Sequence, residues 1–444
     1  MPPVRPPHLA TISNNSKLWT AFTSSYRGLE LCNYTQHLEA HLLHSAKVYS
    51  VALRNCAHAG KPIKQRLSIS SRPRGNLQSH SNSLPANHSS RPFSSLSKST
   101  KMASQQTDSE SSSPAFSIES TTPVAPDSSA SDSSATFDFD AVLAKHNVTK
   151  KRLNEVHNVL IDIATDAGKI MVAAEDCIIT TVHKKNTSDV VTRFDKQIEA
   201  MAEERLAQSF PEYTFLGEET FKHGTKLADT PTFIVDPIDG TLNFSLGVPN
   251  CAISLALTLD KKPVVGVVFN PFRGDMYHAI KGQGAYLTKT FTNHKIKLPV
   301  QPIPKSMPSL NSCLIAVEWG NQRSGPNWAL RTSIHNALLT SKDEGGAMCK
   351  SVRSNGSAAL DFCYVAHGML DAFWEGGVYS WDVAAGWCIL EEAGGVVVSA
   401  NPGDWDPELE GRLYFAVRNA KREDQRAVIQ ELWGMMGDRK FVFP

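Results

Sequence analysis

Along the chain, apolar residues first become regular at Thr149. Leu153, Val156, Leu160, Ile163, Ala167, Ile170 and Met171 recur at intervals of three and four, which predicts an amphipathic helix. A second helix is expected to start at Asp195, an N-cap residue type, with Ile198, Met201, Ala202 and Leu206 on one face. The period then changes. Phe233 to Val235 form a short apolar run ending at Asp236, and Cys251 to Leu259 alternate large apolar with small residues, as a strand does. Lys262-Pro263 is expected to punctuate the chain before the run Val264 to Phe269, which stops at Asn270-Pro271. Met276, His278 and Ile280, then Gly282 and Gly284, then Ala285 to Leu287, predict a hairpin. Ser357 to Leu370 and Trp381 to Ala393 are expected helices, with Gly394 and Gly395 ending the second before a strand from Val396 to Ser399. No internal repeat is evident. Helices, a meander of strands, then helices and strands again predict layered α and β structure over the second part of the chain, without fixing its topology.

Upstream, the composition is different. From Ser81 to Ala135, twenty of fifty-five residues are Ser, mixed with Pro, Asn and Gln. Such a stretch has too little apolar surface to offset its ordering entropy, so residues 1–140 are expected to be a disordered leader before a catalytic domain at 141–444. The leader's charge is uneven. Up to Thr107 it has thirteen Lys and Arg against Glu30 and Glu39 only, whereas from Asp108 to Asp140 there are seven acids and no base. An acid-poor, Arg- and Ser-containing N-terminus resembles a mitochondrial transit peptide, while Met102, followed by Ala103 and Ser104, offers an alternative start. The expected location is the cytoplasm, or the mitochondrion if the leader is a transit peptide.

The whole chain of 444 residues carries 45 Lys and Arg against 44 Asp and Glu, a formal charge of +1. That balance removes bulk electrostatic attraction to nucleic acid or anionic membrane, and neither is an expected partner. No apolar run reaches the roughly 18 residues needed to cross a bilayer. The eight Cys form no Cys-x-x-Cys pair and have no nearby His at zinc-finger spacing, so neither a zinc module nor a disulfide framework is favoured.

Chemistry concentrates in acids flanked by apolar sequence. In Asp236-Pro237-Ile238-Asp239-Gly240-Thr241-Leu242-Asn243-Phe244, Pro237 biases Asp236 towards an extended conformation and Gly240 permits a tight turn. Two carboxylates three residues apart on such a turn can converge, and hard divalent cations are the ordinary counterions for close acids. Gly217-Glu218-Glu219 offers two more acids at an apparent strand end, and Trp381-Asp382-Val383-Ala384-Ala385-Gly386 places one at the start of a helix rich in small residues. Each alone has an ordinary explanation, as a turn, a solvated face or a helix cap.

Together and in this order, the three motifs resemble those of the inositol monophosphatase family, within the lithium-sensitive, magnesium-dependent phosphatases that include fructose bisphosphatase-like enzymes. The resemblance covers roughly Thr149 to Pro444 and implies an α-β-α-β-α layered sandwich that is usually a homodimer. It implies Mg2+ as cofactor, two or three ions per site. One ion is expected on Glu218, Asp236 and the carbonyl of Ile238, a second on Asp236, Asp239 and Asp382, and a looser third near Glu218. The implied chemistry is two-metal hydrolysis of a phosphate ester. Thr241 matches a hydroxyl that orients the attacking water together with Glu218, Asp195 an acid supporting the water network, and Lys184 or Lys185 a nearby base. The Gly240 and Thr241 amides are expected to face the phosphate. Arg353 to Leu360 resembles a segment whose small residue, here Ala358, contacts inositol hydroxyls, and Asp371 to Glu375 one whose Glu375 accepts from two ring hydroxyls.

Two positions depart from the pattern. Tyr379 stands where some members have His, and Asn321 where a Ser contact is expected. Both bear on the choice of polyol and leave the metal site untouched. A haloacid-type aspartyl-phosphate route is disfavoured, because Asp236 and Asp239 are separated by two residues and not by one, which points to direct attack by water. The expected activity is hydrolysis of myo-inositol monophosphate, a small phosphorylated polyol. Nucleotide 3′-phosphatases share the same core motif and are the alternative, as is a non-catalytic phosphate-binding regulator.

Overall fold

The computed structural model describes residues 138–174, 181–184, 187 and 190–443. The expected leader lies outside the described residues apart from its last three. A short helix α1 (Phe139–Lys145), capped by Asp138, straddles that boundary. Helix α2 (Lys150–Ala173) starts at Thr149, whose hydroxyl accepts from Arg152 N at 3.0 Å. Its stripe of Leu153, Val156, Leu160, Ile163, Ala167 and Met171 is buried. Each large member of that stripe contributes on the order of 1.5–3 kcal/mol by leaving water.

A ribbon of β1 (Thr181–His183) and β2 (Val190–Thr192) feeds α3 (Arg193–Ser209). The N-cap of α3 is Thr192 and not Asp195. Asp195 is the third helical residue and closes a capping box by accepting from Thr192 N at 2.8 Å, which satisfies one of the otherwise unpaired amides at the helix start.

The next strands are β3 (Thr214–Gly217), β4 (Thr232–Asp239), β5 (Ala252–Leu259), β6 (Lys262–Asn270), β7 (Asp275–Ile280), β8 (Gly284–Lys289) and β9 (His294–Lys297), with a one-turn helix α4 (Thr241–Ser245) between β4 and β5. They form a seven-stranded sheet in chain order, parallel only between β3 and β4. The break expected at Lys262-Pro263 falls inside β6. The turn itself is Asp260-Lys261, both at positive φ, and Pro263 sits opposite Thr258 where the β5–β6 register shifts, a place where a missing N–H is tolerated.

The remainder comprises β10 (Leu314–Val317), α5 (Gly325–Leu339), β11 (Ser351–Arg353), α6 (Ala358–His367), β12 (Ala372–Gly376), α7 (Ser380–Glu392), β13 (Val396–Val398), β14 (Leu413–Val417) and α8 (Arg422–Met436). Their strands form a mixed sheet in the order β11-β10-β12-β14-β13. Helices α2 and α3 cover one face of the larger sheet, α6 and α7 lie between the sheets, and α5 and α8 cover the outer face of the smaller one. This is the α-β-α-β-α sandwich, and its apolar cores occupy the spaces between layers. Every residue of β4 and β5 is buried, because helices cover both faces of the sheet there. An acid delivered by such a strand therefore enters a low-dielectric interior.

Candidate active site

Strand β4 carries Asp236 inward, to 1% exposure. Pro237 has no N–H to pair, and the register with β5 shifts between Asp236 and Asp239. The freed Ile238 N–H donates to Asp236 Oδ1 at 3.0 Å. Gly240 then reverses the chain at φ 89°, where a Cβ would also stand 2.8 Å from the carbonyl oxygen of Gly356. Asp239 accepts from the Ser357 hydroxyl and from Ala359 N, the latter at 2.8 Å, through Oδ2. Asp382, in the first turn of α7, accepts from Tyr379 N at 2.6 Å. The backbone thus aims all three carboxylates at one point: oxygens of Asp236, Asp239 and Asp382 lie within 4.8 Å of one another.

Glu218 follows β3, and its amide donates to Val235 O at 3.1 Å, beside the start of this turn. The loop carrying it is pinned by Glu199 of α3, which accepts from Glu219 N at 2.7 Å and Thr220 N at 2.8 Å. Gly217 leaves room for this carboxyl: a Cβ there would stand 2.5 Å from it, and Glu199 would have to move off the two amides. Lys184 Nζ reaches Glu218 at 2.9 Å and Glu219 at 2.7 Å, so this candidate lysine is brought to the acids. Lys185 lies outside the described residues.

These acids are not at their ordinary proton affinities. Burial, with the like charges of Glu218, Asp239 and Asp382, pushes the Asp236 carboxyl well up. Burial raises Asp382 in the same way, with Asp239 and Glu218 adding to it. Burial takes Glu218 up to about 7 against the opposing pull of Lys184, and Asp239 up to about 6 against the donors Ser357 and Ala359. A pocket of hard oxygen donors that repel one another is complementary to a divalent cation, and these residues fit one.

Thr241, at the start of α4, donates to Asp195 Oδ1 at 3.0 Å and lies at the same distance from the carbonyl oxygen of Ile238. Asp195, fully buried, therefore serves its own helix with one oxygen and reaches Thr241 with the other. Ala358 opens α6, flanked by the two residues that bond Asp239. Glu375 is buried at the end of β12, and burial, reinforced by Glu318, holds its carboxyl well above the usual range despite Arg331.

Sequence reasoning missed three supports. Glu199 is one. Glu318 is another: it accepts from Asn355 N and, at 3.0 Å, from Gly356 N, which fixes the turn before α6. Asn243 is the third, its Nδ2 donating to Asn250 O and Asn355 O, each at 2.8 Å, and so tying the central motif to that turn. Apolar flanks around Glu199 and Glu318 were the available signal, since an acid in such a setting needs partners.

The model of the inositol monophosphatase family matches residues 152–435. The chain belongs to the inositol monophosphatase family. Among curated relatives, "Inositol monophosphatase 2" of Saccharomyces cerevisiae is 42% identical over 300 residues, spanning 64% of this chain and 96% of the relative. "Quinic acid degradation cluster protein x" of Neurospora crassa is 35% identical over 332 residues, 66% of this chain and 96% of that one. Among solved structures, the extragenic suppressor protein suhB from Bartonella henselae aligns with a TM-score of 0.52 at 27% identity, covering 64% of this chain and 99% of that chain. This inositol monophosphatase family member is accordingly a phosphatase of a metal-dependent family, acting on a phosphorylated small molecule. Among the described residues no helix is long and apolar enough to cross a membrane.

Proposed function

We propose that the protein is a magnesium-dependent phosphomonoesterase that releases phosphate from myo-inositol monophosphate by direct attack of water. The observation that carries this reading is the convergence of Asp236, Asp239 and Asp382 within 4.8 Å in a pocket that also faces Glu218. In this reading residues 141–444 are the catalytic domain. Glu218, Asp236, Asp239, Asp382 and the Ile238 carbonyl would hold two or three Mg2+ ions. Bound there, such ions make water a stronger nucleophile and stabilise charge on the leaving oxygen.

The remaining work falls to the chain's own groups. Thr241, its hydroxyl proton directed at Asp195, presents lone pairs to a water and aligns it, with Glu218, against phosphorus. As the new P–O bond forms, the water's proton passes to Thr241 Oγ1 and that of Thr241 to Asp195 Oδ1, a carboxyl whose affinity for protons burial has raised. The ester P–O bond breaks opposite, and the inositol oxygen takes a proton from solvent. The Gly240 and Thr241 amides contact the phosphate. Ala358 and Glu375 contact the polyol, the latter with a carboxylate suited to adjacent hydroxyls.

The relative from a quinic acid cluster, together with Tyr379 and Asn321 at departing positions, favours a different phosphorylated polyol as the second reading. The deciding experiment is phosphate release from a panel of inositol, sugar and nucleotide monophosphates, with and without Mg2+. Highest kcat/KM on inositol monophosphate supports the first reading. Highest kcat/KM on another polyol phosphate supports the second, and on a nucleotide rejects both.

A further inference from the structure

The segment Gly376 to Tyr379 joins Glu375, at the end of β12, to Asp382 in the first turn of α7, and the amide of Tyr379 bonds the Asp382 carboxylate at 2.6 Å. Its position therefore sets both acids. Two adjacent glycines make it the most freely rotating stretch near the site, so something else must hold it. Three groups do.

Arg331 of α5, at 2% exposure, donates to Gly376 O at 2.7 Å and to Trp319 O at 2.8 Å. Arg412 bonds Gly377 from both directions, Nη2 to Gly377 O at 2.7 Å and Gly377 N to Arg412 O at 2.8 Å. Its guanidinium lies 4.1 Å from the centre of the Tyr379 ring and 5.0 Å from that of Phe443. Arg412 itself has φ 59°, a costly conformation for a side chain of that size.

The third group is the segment that follows α8. Phe441 is buried against Trp374, ring centres 4.8 Å apart, and exchanges two hydrogen bonds with the Asn401 side chain, at 2.8 and 2.9 Å. Val442, 75% exposed, does the same with Asn327, at 3.0 and 2.8 Å. Two asparagine amides thus act as strand partners on the two sides of an extended segment. The rings on either side of Val442 point inward and fill the space that side chains at 376 and 377 would take: a Cβ on Gly376 would stand 2.7 Å from Phe441, and one on Gly377 2.9 Å from Phe443.

We propose that Arg412 and Phe443, with Phe441 behind them, are positioning residues that set the preference for a polyol phosphate, by clamping the Gly376–Tyr379 link between the polyol acid and Asp382. The inference deepens the reading above and rests on its assignment of Glu375 and Asp382. Releasing the clamp lets Glu375 drift and loosens the seat of Asp382, while the Gly240 and Thr241 amides proposed to face the phosphate stay in place, and a displacement of about 1 Å in a positioning group costs up to about 100-fold.

The test uses the full chain carrying Phe443→Ala, Phe443→Leu, Arg412→Lys or Glu375→Ala. Measurements are kcat and KM for myo-inositol monophosphate and for p-nitrophenyl phosphate, and Mn2+ affinity from the electron paramagnetic resonance signal of the free ion. Phe443→Ala should raise KM for the inositol substrate about tenfold and weaken Mn2+ binding, with KM for the aryl phosphate within about twofold. Phe443→Leu, which refills most of the volume, should recover most of the loss. Arg412→Lys keeps the charge but not the fork, should show the same selective loss, and carries the test if Phe443→Ala does not fold. Should the clamp variants leave both the substrate ratio and Mn2+ affinity unchanged while Glu375→Ala lowers the inositol preference, the clamp is wrong and the site reading stands. Should Glu375→Ala leave that preference intact, both fall.

Discussion

Replacing Asp236 by Asn should stabilise the metal-free protein while abolishing its activity. One carboxyl oxygen from each of Asp236, Asp239 and Asp382 lies within 4.8 Å of the other two, the first two residues buried and Asp382 half-buried. At that separation and an effective dielectric constant of about 20, two unit charges repel by about 3 kcal/mol. Proton uptake relieves part of this, since burial and mutual repulsion raise these carboxyls. The net gain expected from the isosteric neutral amide is therefore about 1–3 kcal/mol in chelator, or roughly 2–6 °C in melting temperature for a domain of this size. Excess Mg2+ should reverse the order, because an ion held only by the folded state adds about 2.7 kcal/mol at 100 times its Kd and the variant has lost a ligand. Turnover should fall by on the order of 10³. Thermal melts in chelator and in Mg2+, with phosphate release on the same samples, make the assay. An Asp236→Asn protein that melts lower than wild type in chelator, or that retains near-normal turnover, would refute the reasoning.

The same electrostatics give a pH dependence to the metal-free form. Glu218 at about 7 and Asp239 at about 6 both lie above their unfolded values, so the folded state binds more protons than the unfolded one. Stability in chelator should therefore fall as pH rises from about 4 to about 7, and Mg2+ should flatten the curve; a rise over that window would contradict the assignment. Thr241→Ala should leave the melting temperature within a few degrees and lower kcat by about 100-fold or more, checked by steady-state kinetics with KM near wild type. Asn243→Ala removes two donors at 2.8 Å that tie the central motif to the turn before α6, and should cost about 2 kcal/mol in urea unfolding, with reduced turnover as Asp239 loses its seat. Lithium should inhibit at millimolar concentration when Mg2+ is subsaturating, and unchanged rates there would remove lithium sensitivity from the account.

The parts of this protein that were readable in its sequence are those governed by local periodicity. The α2 stripe and the runs of β4 to β6 carry it plainly, and the motif Asp236 to Phe244 encodes its own turn through Pro237 and Gly240. The strands β10 and β14 escaped as short runs and α5 as a weakly patterned helix, whereas α8 carries Val428, Ile429, Leu432, Trp433 and Met436 at helical spacing and was open to the same reading as α2. Site supports escaped for another reason. Glu318 and Asn355 are 37 residues apart, Asn243 and Asn355 are 112 apart, and no local pattern marks either pair. Asp195 shows a further difficulty: the sequence offered both a cap and a support for the water network, but the cap was placed three residues late, since Thr192 is the N-cap and Asp195 closes the box from the third helical position while bonding Thr241.

The central claim is that Asp236, Asp239, Asp382 and Glu218 hold divalent cations at the point of hydrolysis. Diffraction from crystals soaked in Mn2+, recorded at the manganese absorption edge, tests it most directly. Anomalous peaks are expected among these four carboxylates, one of them in contact with Asp236 and Asp239 together. A map with no peak there, in crystals of protein that still turns over with Mn2+, would contradict it.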